Sequence, residues 1–191
     1  DQARPGNISR IGPQQLEWLK SDLEESWDAE HIFVFIHKPL WRDKNSNWNE
    51  VHEILKRYNV EAVIAGHAHI YTFDGERDGI KYIVSGGGGA EMGSFRDAGN
   101  FFHYMLITVN GQDVHYSVIE PGSVQPVDVV TSQKASLAGK ISRAVSLGSI
   151  PIGSALSGAD VRLTLSNIYG RSIEPVIIWN VPPGFRVDPI L

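Results

Sequence analysis

The chain has no cysteine among its 191 residues. Disulfide bonds and zinc sites built on thiolate ligands are therefore excluded. The lack of free thiols favours an extracytoplasmic location, bacterial periplasmic or secreted, because oxidising compartments penalise unpaired cysteine. This indication is weak, and the localisation is otherwise unknown.

Long hydrophobic runs and an excess of positive charge are also missing. No apolar run approaches the roughly 18 residues that a membrane-spanning helix needs, so no membrane segment is predicted. The formal net charge of −5 at pH 7 offers no broad basic surface of the kind that binds nucleic acid. With 42% hydrophobic and 20% charged residues, the composition is that of a globular chain of one or two domains.

Histidines follow two apolar runs that are typical of buried strands. His37 follows residues 32–36 (IFVFI), and Gly66-His67-Ala68-His69 follows residues 61–65 (EAVIA). A helical apolar stripe over residues 48–58 separates the runs, and strand–helix–strand at this spacing predicts parallel neighbours whose carboxyl ends share one sheet edge. Histidine is the commonest metal ligand. We therefore predict that His37, His67 and His69 are metal ligands.

Two features qualify that prediction. A His-x-His on an extended strand would point its rings to opposite faces, so Gly66 predicts a bend just past the strand end. A histidine near a strand end is also often structural, and the remaining histidines are predicted to be packing or surface residues, with His52 on the exposed part of its helix. These four residues are His31, His52, His103 and His115.

Several nearby residues leave their role open. Trp41 and Trp48 border a substrate groove or cap the edge of the fold, with equal weight. Ser94, Arg96 and Asp97 lie on a polar loop from which they would reach a substrate, but no substrate-binding or catalytic residue is assigned. The four glycines at 86–89 do not form a phosphate loop, because no Lys-Ser/Thr follows them, and a tight passage of the chain is preferred to an anion-binding nest.

Antiparallel strands follow the histidine motif. Residues 70–73 and 80–85 flank a polar turn, and residues 104–109 and 113–119 flank Asn110-Gly111, a strong hairpin signal. The apolar pattern of 104–109 predicts cover on both faces. The composition then divides the chain into a first domain (1–122), a Ser/Ala/Gly-rich connecting segment with a marginal helix (123–158), and the start of a β-sandwich-like module (159–191).

Four ordered motifs carry a family resemblance. They are a helix over 14–27 (QQLEWLKSDLEESW), His37-Lys38-Pro39, the GHAH motif, and a strand with a glycine loop over 82–90. Over residues 11–120 the chain resembles the C-terminal part of a calcineurin-like metallophosphoesterase, of the purple-acid-phosphatase-like superfamily. The resemblance implies an α/β (α+β) fold, with a partial β-sandwich flanked by helices and a β-rich C-terminal extension. It also implies that the strands after the GHAH motif form much of the second sheet.

The resemblance implies a metal-dependent phosphohydrolase that cleaves phosphate mono- or diesters through a dinuclear site. Two divalent or trivalent ions (Fe, Mn or Zn) would be bound, one by His37 and His67 and the other by His69. The family's first three blocks, Asp-x-His, Gly-Asp-x-x-Asp and Gly-Asn-His-Asp/Glu, would have to precede Ile11, and only ten residues do so.

We therefore expect a fragment that is inactive alone and that pairs with the N-terminal half of the same protein or with a second copy. The alternative is a non-catalytic β-rich binding or assembly module with vestigial histidines. Metal titration distinguishes the two.

Overall fold

A computed structural model describes residues 9–89, 91–93, 95–147 and 163–165. None of the helices within these ranges is long and apolar enough to cross a membrane. The helices are α1 (Pro13–Glu25), α2 (Trp48–Leu55) and α3 (Ser132–Ala144). The strands are β1 (Ile32–Ile36), β2 (Val60–Ala65), β3 (Tyr71–Arg77), β4 (Ile80–Ser85), β5 (Tyr104–Asn110), β6 (Asp113–Glu120), β7 (Ser123–Pro126), β8 (Val145–Leu147) and β9 (Leu163–Leu165).

The first sheet has the strand order β1-β2-β4-β3. β1, β2 and β4 are parallel, and β3 is antiparallel to β4. The predicted strand–helix–strand unit is thus confirmed, and β1 and β2 end side by side where His37 and Gly66 begin their loops. The two later strands β3 and β4 extend this same sheet, so the expectation that they belong to a second sheet was wrong.

The second sheet has the order β5-β6-β7 and is antiparallel throughout. The predicted hairpin between β5 and β6 is present, but its two-residue turn is Gly111-Gln112, one residue later than predicted, because Asn110 pairs with Asp113. Gly111 opens this turn with a φ of +56°, a conformation that glycine adopts readily. The expectation that both faces of β5 are covered was wrong, because Tyr104 is 63% exposed and Leu106 is 51% exposed.

Two hydrophobic cores lie on opposite faces of the first sheet. Leu16, Leu23, Val51 and Leu55 from α1 and α2 pack on the face that carries Val63. The stripe on each helix follows from apolar residues three and four apart. On the other face, the buried side chains come from both sheets and from the segments beside them: Ala62, Ile64, Tyr71, Ile83, Phe101, Val118 and Val130. Helices α1 and α2, the first sheet and the second sheet therefore form three layers.

β1 is an edge strand of the first sheet, and β5 is an edge strand of the second sheet. Within the described residues no strand pairs with the outer side of β1, although its apolar sequence is typical of a strand buried on both faces. Phe35 is 71% exposed, and Val109 of β5 is 48% exposed. A groove of about 760 Å³ opens between the strands and is lined by residues that include Phe35, Met105 and Ile107.

The chain divides into two compact units, residues 1–142 and residues 143–191. In the second unit the structure describes the antiparallel pair of β8 and β9. The strand predicted around Val161 to Leu165 is present as β9, while the strand predicted over 175–179 lies outside the described residues. The marginal helix of the connecting segment is α3, and the domain limits at 122 and 158 remain predictions.

Candidate metal centre

The loop after β2 bends sharply, as Gly66 predicts. The backbone N–H of Gly66 donates to the carbonyl of His37 at 3.1 Å, which ties the ends of β1 and β2 together. The N–H of Ala68 donates to the carbonyl of Gly66 at 2.7 Å and closes a tight turn. His67 and His69 both have left-handed backbones, with φ of +62° and +48°. This conformation is uncommon outside glycine, and such strain is concentrated at functional sites.

The bend brings two of the three predicted ligands together. Nδ1 of His67 lies 3.2 Å from Nε2 of His37, and the two rings meet edge to face with centroids 5.0 Å apart. Both side chains are exposed to solvent. Since one nitrogen must donate and the other accept for this hydrogen bond to form, at least one lone pair already points at the shared space.

His69 is oriented by a backbone carbonyl. Its Nδ1 lies 3.1 Å from the carbonyl oxygen of Glu91, and because that oxygen only accepts, Nδ1 carries the proton. The lone pair is then on Nε2. This arrangement is the usual one for metal-binding histidines, whose second nitrogen donates to a carbonyl or carboxylate.

The surroundings of His67 favour its neutral form. Desolvation lowers the pKa of His67 below its ordinary value, and the positive charges of Lys38, His37 and His69 act in the same direction. A neutral imidazole is the form that binds metal. A bound cation and a proton would therefore compete for the same ring nitrogens.

The histidines are ligands of a type that binds metal ions, but too few of them come together to complete a site. Imidazole nitrogen suits zinc, iron, nickel and copper, whereas protein zinc sites take three or four protein ligands. Within the part of the chain that the structure describes, no three His, Cys, Asp or Glu side chains form a group that could hold an ion. Within the described residues, His37 and His67 therefore approach each other while His69 is directed at Glu91, and the three do not form a complete ligand set.

Other residues predicted near the site have structural contacts. Trp48 is 4% exposed in the helix-side core, and the indole of Trp41 donates to Asp74 at 2.7 Å, which favours the packing interpretation of both. Arg96 forms an ion pair with Glu120, and Asp97 is exposed. Ser94 lies outside the described residues.

The histidines predicted to be structural divide into two groups. His31 precedes β1 and is half-buried, His115 is exposed on β6, and His103 is buried at 6% exposure. The placement of His52 on an exposed helix face was wrong, because His52 is fully buried against Tyr82.

Ser85 was not predicted as a site residue. It ends β4 and lines the groove with His37 and Gly66. Alternation along β4 places it on the face of Ile83, which looks toward the second sheet, so the strand pattern contained the necessary signal.

Comparison with known families gives a match over the part of the chain that holds the three histidines. Residues 1–71 match the family described as calcineurin-like phosphoesterase. This stretch of the chain is therefore similar to part of a calcineurin-like phosphoesterase. The matched range holds His37, His67 and His69, together with β1, α2 and β2, which position them.

Two similar proteins are tartrate-resistant acid phosphatases type 5. The protein from Oryctolagus cuniculus is 28% identical over 90 residues, and the protein from Homo sapiens is 27% identical over 90 residues. Each match covers 44% of this chain and 27% of the relative. The chain thus matches little more than a quarter of the length of these relatives.

Proposed function

We propose that this chain supplies the imidazole ligands of a metal-dependent phosphohydrolase acting on phosphate mono- or diesters. The observation that carries the proposal is the approach of His67 Nδ1 to His37 Nε2 at 3.2 Å, at the carboxyl ends of adjacent parallel strands. Ligands of α/β proteins bind at this edge of a sheet. The family match and the names of the acid phosphatase relatives support the reaction class.

Each histidine has a separate role in the proposed site. His37 and His67 would hold one ion, and His69 would hold the other through Nε2, with Glu91 fixing the ring. Two divalent or trivalent ions, of Fe, Mn or Zn, are proposed from the family resemblance. When bound, such ions supply Lewis-acid activation of the phosphoester and neutralise its charge. The chain's own contribution is to orient the imidazoles and to favour the neutral form of His67.

The partner in this proposal is the N-terminal half of the same protein, docked along β1 and β5. The open edges of β1 and β5 would accept a strand on each sheet. The three histidines also need carboxylate companions, which a second copy presenting the same edges would not bring. The 27% coverage of the relatives supports a longer parent protein. A homodimer is the competing outcome.

Metal titration of the chain tests the proposed site. Calorimetry with Zn²⁺ or Mn²⁺ should give saturable binding that weakens as the pH falls below about 6.5, where protons compete for imidazole. His67→Ala should weaken binding at least tenfold. His115→Ala is the matched control, since His115 is an exposed histidine of β6.

Two results would count against the proposal. One is the absence of saturable binding, which would favour the alternative of a binding or assembly module with vestigial histidines. The other is equal affinity of the His67→Ala and His115→Ala variants, which would place the ion elsewhere.

A further inference from the structure

A second pair of reactive side chains lies on the same sheet edge as the histidine ligands. Oγ of Ser85 lies 3.1 Å from Nε2 of His103. His103 is 6% exposed, whereas Ser85 is half-buried and lines the groove. Neither residue belongs to the proposed metal ligands, and the Ser85–His103 contact connects the first sheet to the segment before β5.

The tautomer of His103 is determined by its other contact. Nδ1 lies 2.9 Å from the carbonyl oxygen of Phe101, which only accepts, so Nδ1 carries the proton. In the neutral ring Nε2 is therefore a lone-pair acceptor for the Ser85 hydroxyl. Tyr71 holds the ring edge to face at 5.1 Å, and a Cβ on Gly87 would lie 2.4 Å from Nδ1. The imidazole is thus confined to this orientation.

This arrangement has the geometry of an activated nucleophile. Such sites place a hydroxyl within about 2.6–3.2 Å of a base whose other side is oriented by a third group. Here the hydroxyl is that of Ser85, the base is His103, and the Phe101 carbonyl takes the orienting position. Burial lowers the pKa of His103 and so favours the unprotonated base, while the hydrogen bond to the Phe101 carbonyl and the charge of Glu120 act in the opposite direction.

The groove beside Ser85 indicates the class of substrate. Most of its lining is apolar, including Phe35, Ile64, Met105 and Ile107. Ser85 lies on β4, which β2 and β1 separate from the open edge of the sheet. A strand added beside β1 would therefore not lie next to Ser85. An uncharged ester with an apolar acyl or alkyl group is complementary to this lining.

We propose that Ser85 and His103 form a metal-independent nucleophile–base dyad that reacts with apolar esters. Ser85 Oγ attacks the electrophilic carbon or phosphorus and transfers its proton to His103 Nε2. The bond to the leaving group breaks, and the leaving oxygen takes that proton, which yields an alcohol and an ester of Ser85. Water then cleaves this ester, giving its proton to His103, and the Ser85 hydroxyl is restored.

Covalent labelling of the full chain tests the dyad without any metal. The chain is treated with an alkyl fluorophosphonate in EDTA, and the adduct is measured by intact mass and located by peptide mapping. Stoichiometric labelling at Ser85 is expected, with fluoride as the leaving group. Hydrolysis of p-nitrophenyl butyrate in EDTA should show the same dependence on Ser85.

The variants make the result decisive. Ser85→Ala should abolish labelling, and His103→Gln, which can accept a hydrogen bond but is no base, should slow it at least tenfold. Ser117→Ala and His115→Gln are matched controls that should label at the wild-type rate. Circular dichroism confirms that His103→Gln is folded. Labelling that persists in Ser85→Ala, or no labelling of the wild type, would overturn the proposal.

The test is separable from that of the metal site. His67→Ala should lose metal affinity and keep fluorophosphonate labelling, because the dyad needs no ion. If His67→Ala is folded but is no longer labelled, the metal-independent dyad is contradicted. The metal titration then decides the proposed function by itself.

Discussion

The hydroxyl of Tyr82 lies 2.6 Å from Nδ1 of His52 inside the core between α2 and the first sheet. Nε2 of the same ring lies 2.8 Å from a carboxylate oxygen of Asp78, and the Trp48 indole donates to the Tyr82 hydroxyl at 3.3 Å. Because the carboxylate only accepts, Nε2 carries a proton, and the neutral ring accepts the Tyr82 hydrogen at Nδ1. The polar groups of this core are therefore mutually satisfied.

Removing one member of the pair should destabilise the fold. His52→Leu leaves the buried Tyr82 hydroxyl without its acceptor, and we expect the free energy of unfolding to fall by about 1–3 kcal/mol. Urea denaturation measures the change. His115→Leu, at an exposed position, should change stability by less than about 0.5 kcal/mol. The double variant His52→Leu/Tyr82→Phe should lose less than the sum of the single variants. Strict additivity would show that the contact is not energetically coupled.

Gly86 controls the placement of His69. A Cβ on Gly86 would lie 2.8 Å from the backbone nitrogen of His69, closer than real Cβ contacts allow. Gly86→Ala should displace the His69 loop and weaken zinc binding about 10–100-fold, as changes behind a metal ligand do. Gly88→Ala is the matched control, since nothing lies within 4 Å of that position. Calorimetry that gave equal affinities would remove His69 from the site.

His31 should make stability depend on pH near neutrality. Its Nε2 lies 2.7 Å from the carbonyl oxygen of Gly111, and its Nδ1 lies 2.8 Å from a carboxylate oxygen of Glu61. The hydrogen bond to Gly111 and then that to Glu61 raise the pKa of His31 above its ordinary value. Because the pKa of His31 is higher in the folded protein than in the unfolded chain, its contribution to stability is complete below about pH 6.5. That contribution is lost as the pH rises through the pKa of the folded protein.

The measurement is urea stability between pH 5 and pH 9 for the wild type and His31→Gln. The difference between them should be largest at low pH and should shrink as the pH rises. His115→Gln, in which the altered histidine is exposed on β6, should follow the wild type at every pH. A difference that grows with pH would reverse the assigned direction of the His31 shift.

The open edges should drive association of the isolated chain. Phe35 is 71% exposed beside the groove, and an uncovered apolar face stabilises a complex by roughly 25 cal/mol per Å² buried. Light scattering should detect a dimer or larger species, and Phe35→Asp should shift it toward monomer. Val124→Asp is the matched control, at 69% exposure on β7. A wild-type chain that is a monodisperse, cooperatively folding monomer would argue against the docking surface.

The isolated chain should have no appreciable phosphatase activity. The three predicted ligands are all imidazoles, and the described residues place no carboxylate in a group with them that could hold an ion. Assays with p-nitrophenyl phosphate and its bis ester, at saturating Mn²⁺ or Zn²⁺, should give rates equal to those of His67→Ala. Saturable hydrolysis that disappears in His67→Ala would mean that the chain assembles a complete site by itself.

Much of the local structure followed from periodicity and turn chemistry. The apolar runs before His37 and Gly66 became parallel β1 and β2, because buried strands are nearly continuous in apolar residues. The predicted hairpin formed with Gly111 as the first turn residue, since glycine adopts positive φ without a steric penalty. The histidine motif and its bend were also evident, as the bend depends on Gly66 and its immediate neighbours.

Only the tertiary structure decided which surfaces meet. The polar pattern around His52 was compatible with exposure, and its burial depends on Tyr82 and Asp78, which lie 30 and 26 residues away. The Ser85–His103 contact likewise joins two segments that no local periodicity relates. Short-range patterns record which face of a strand or helix is apolar, because neighbouring residues set that geometry. Pairing between distant segments is decided by packing of the whole chain, which no window of the sequence contains.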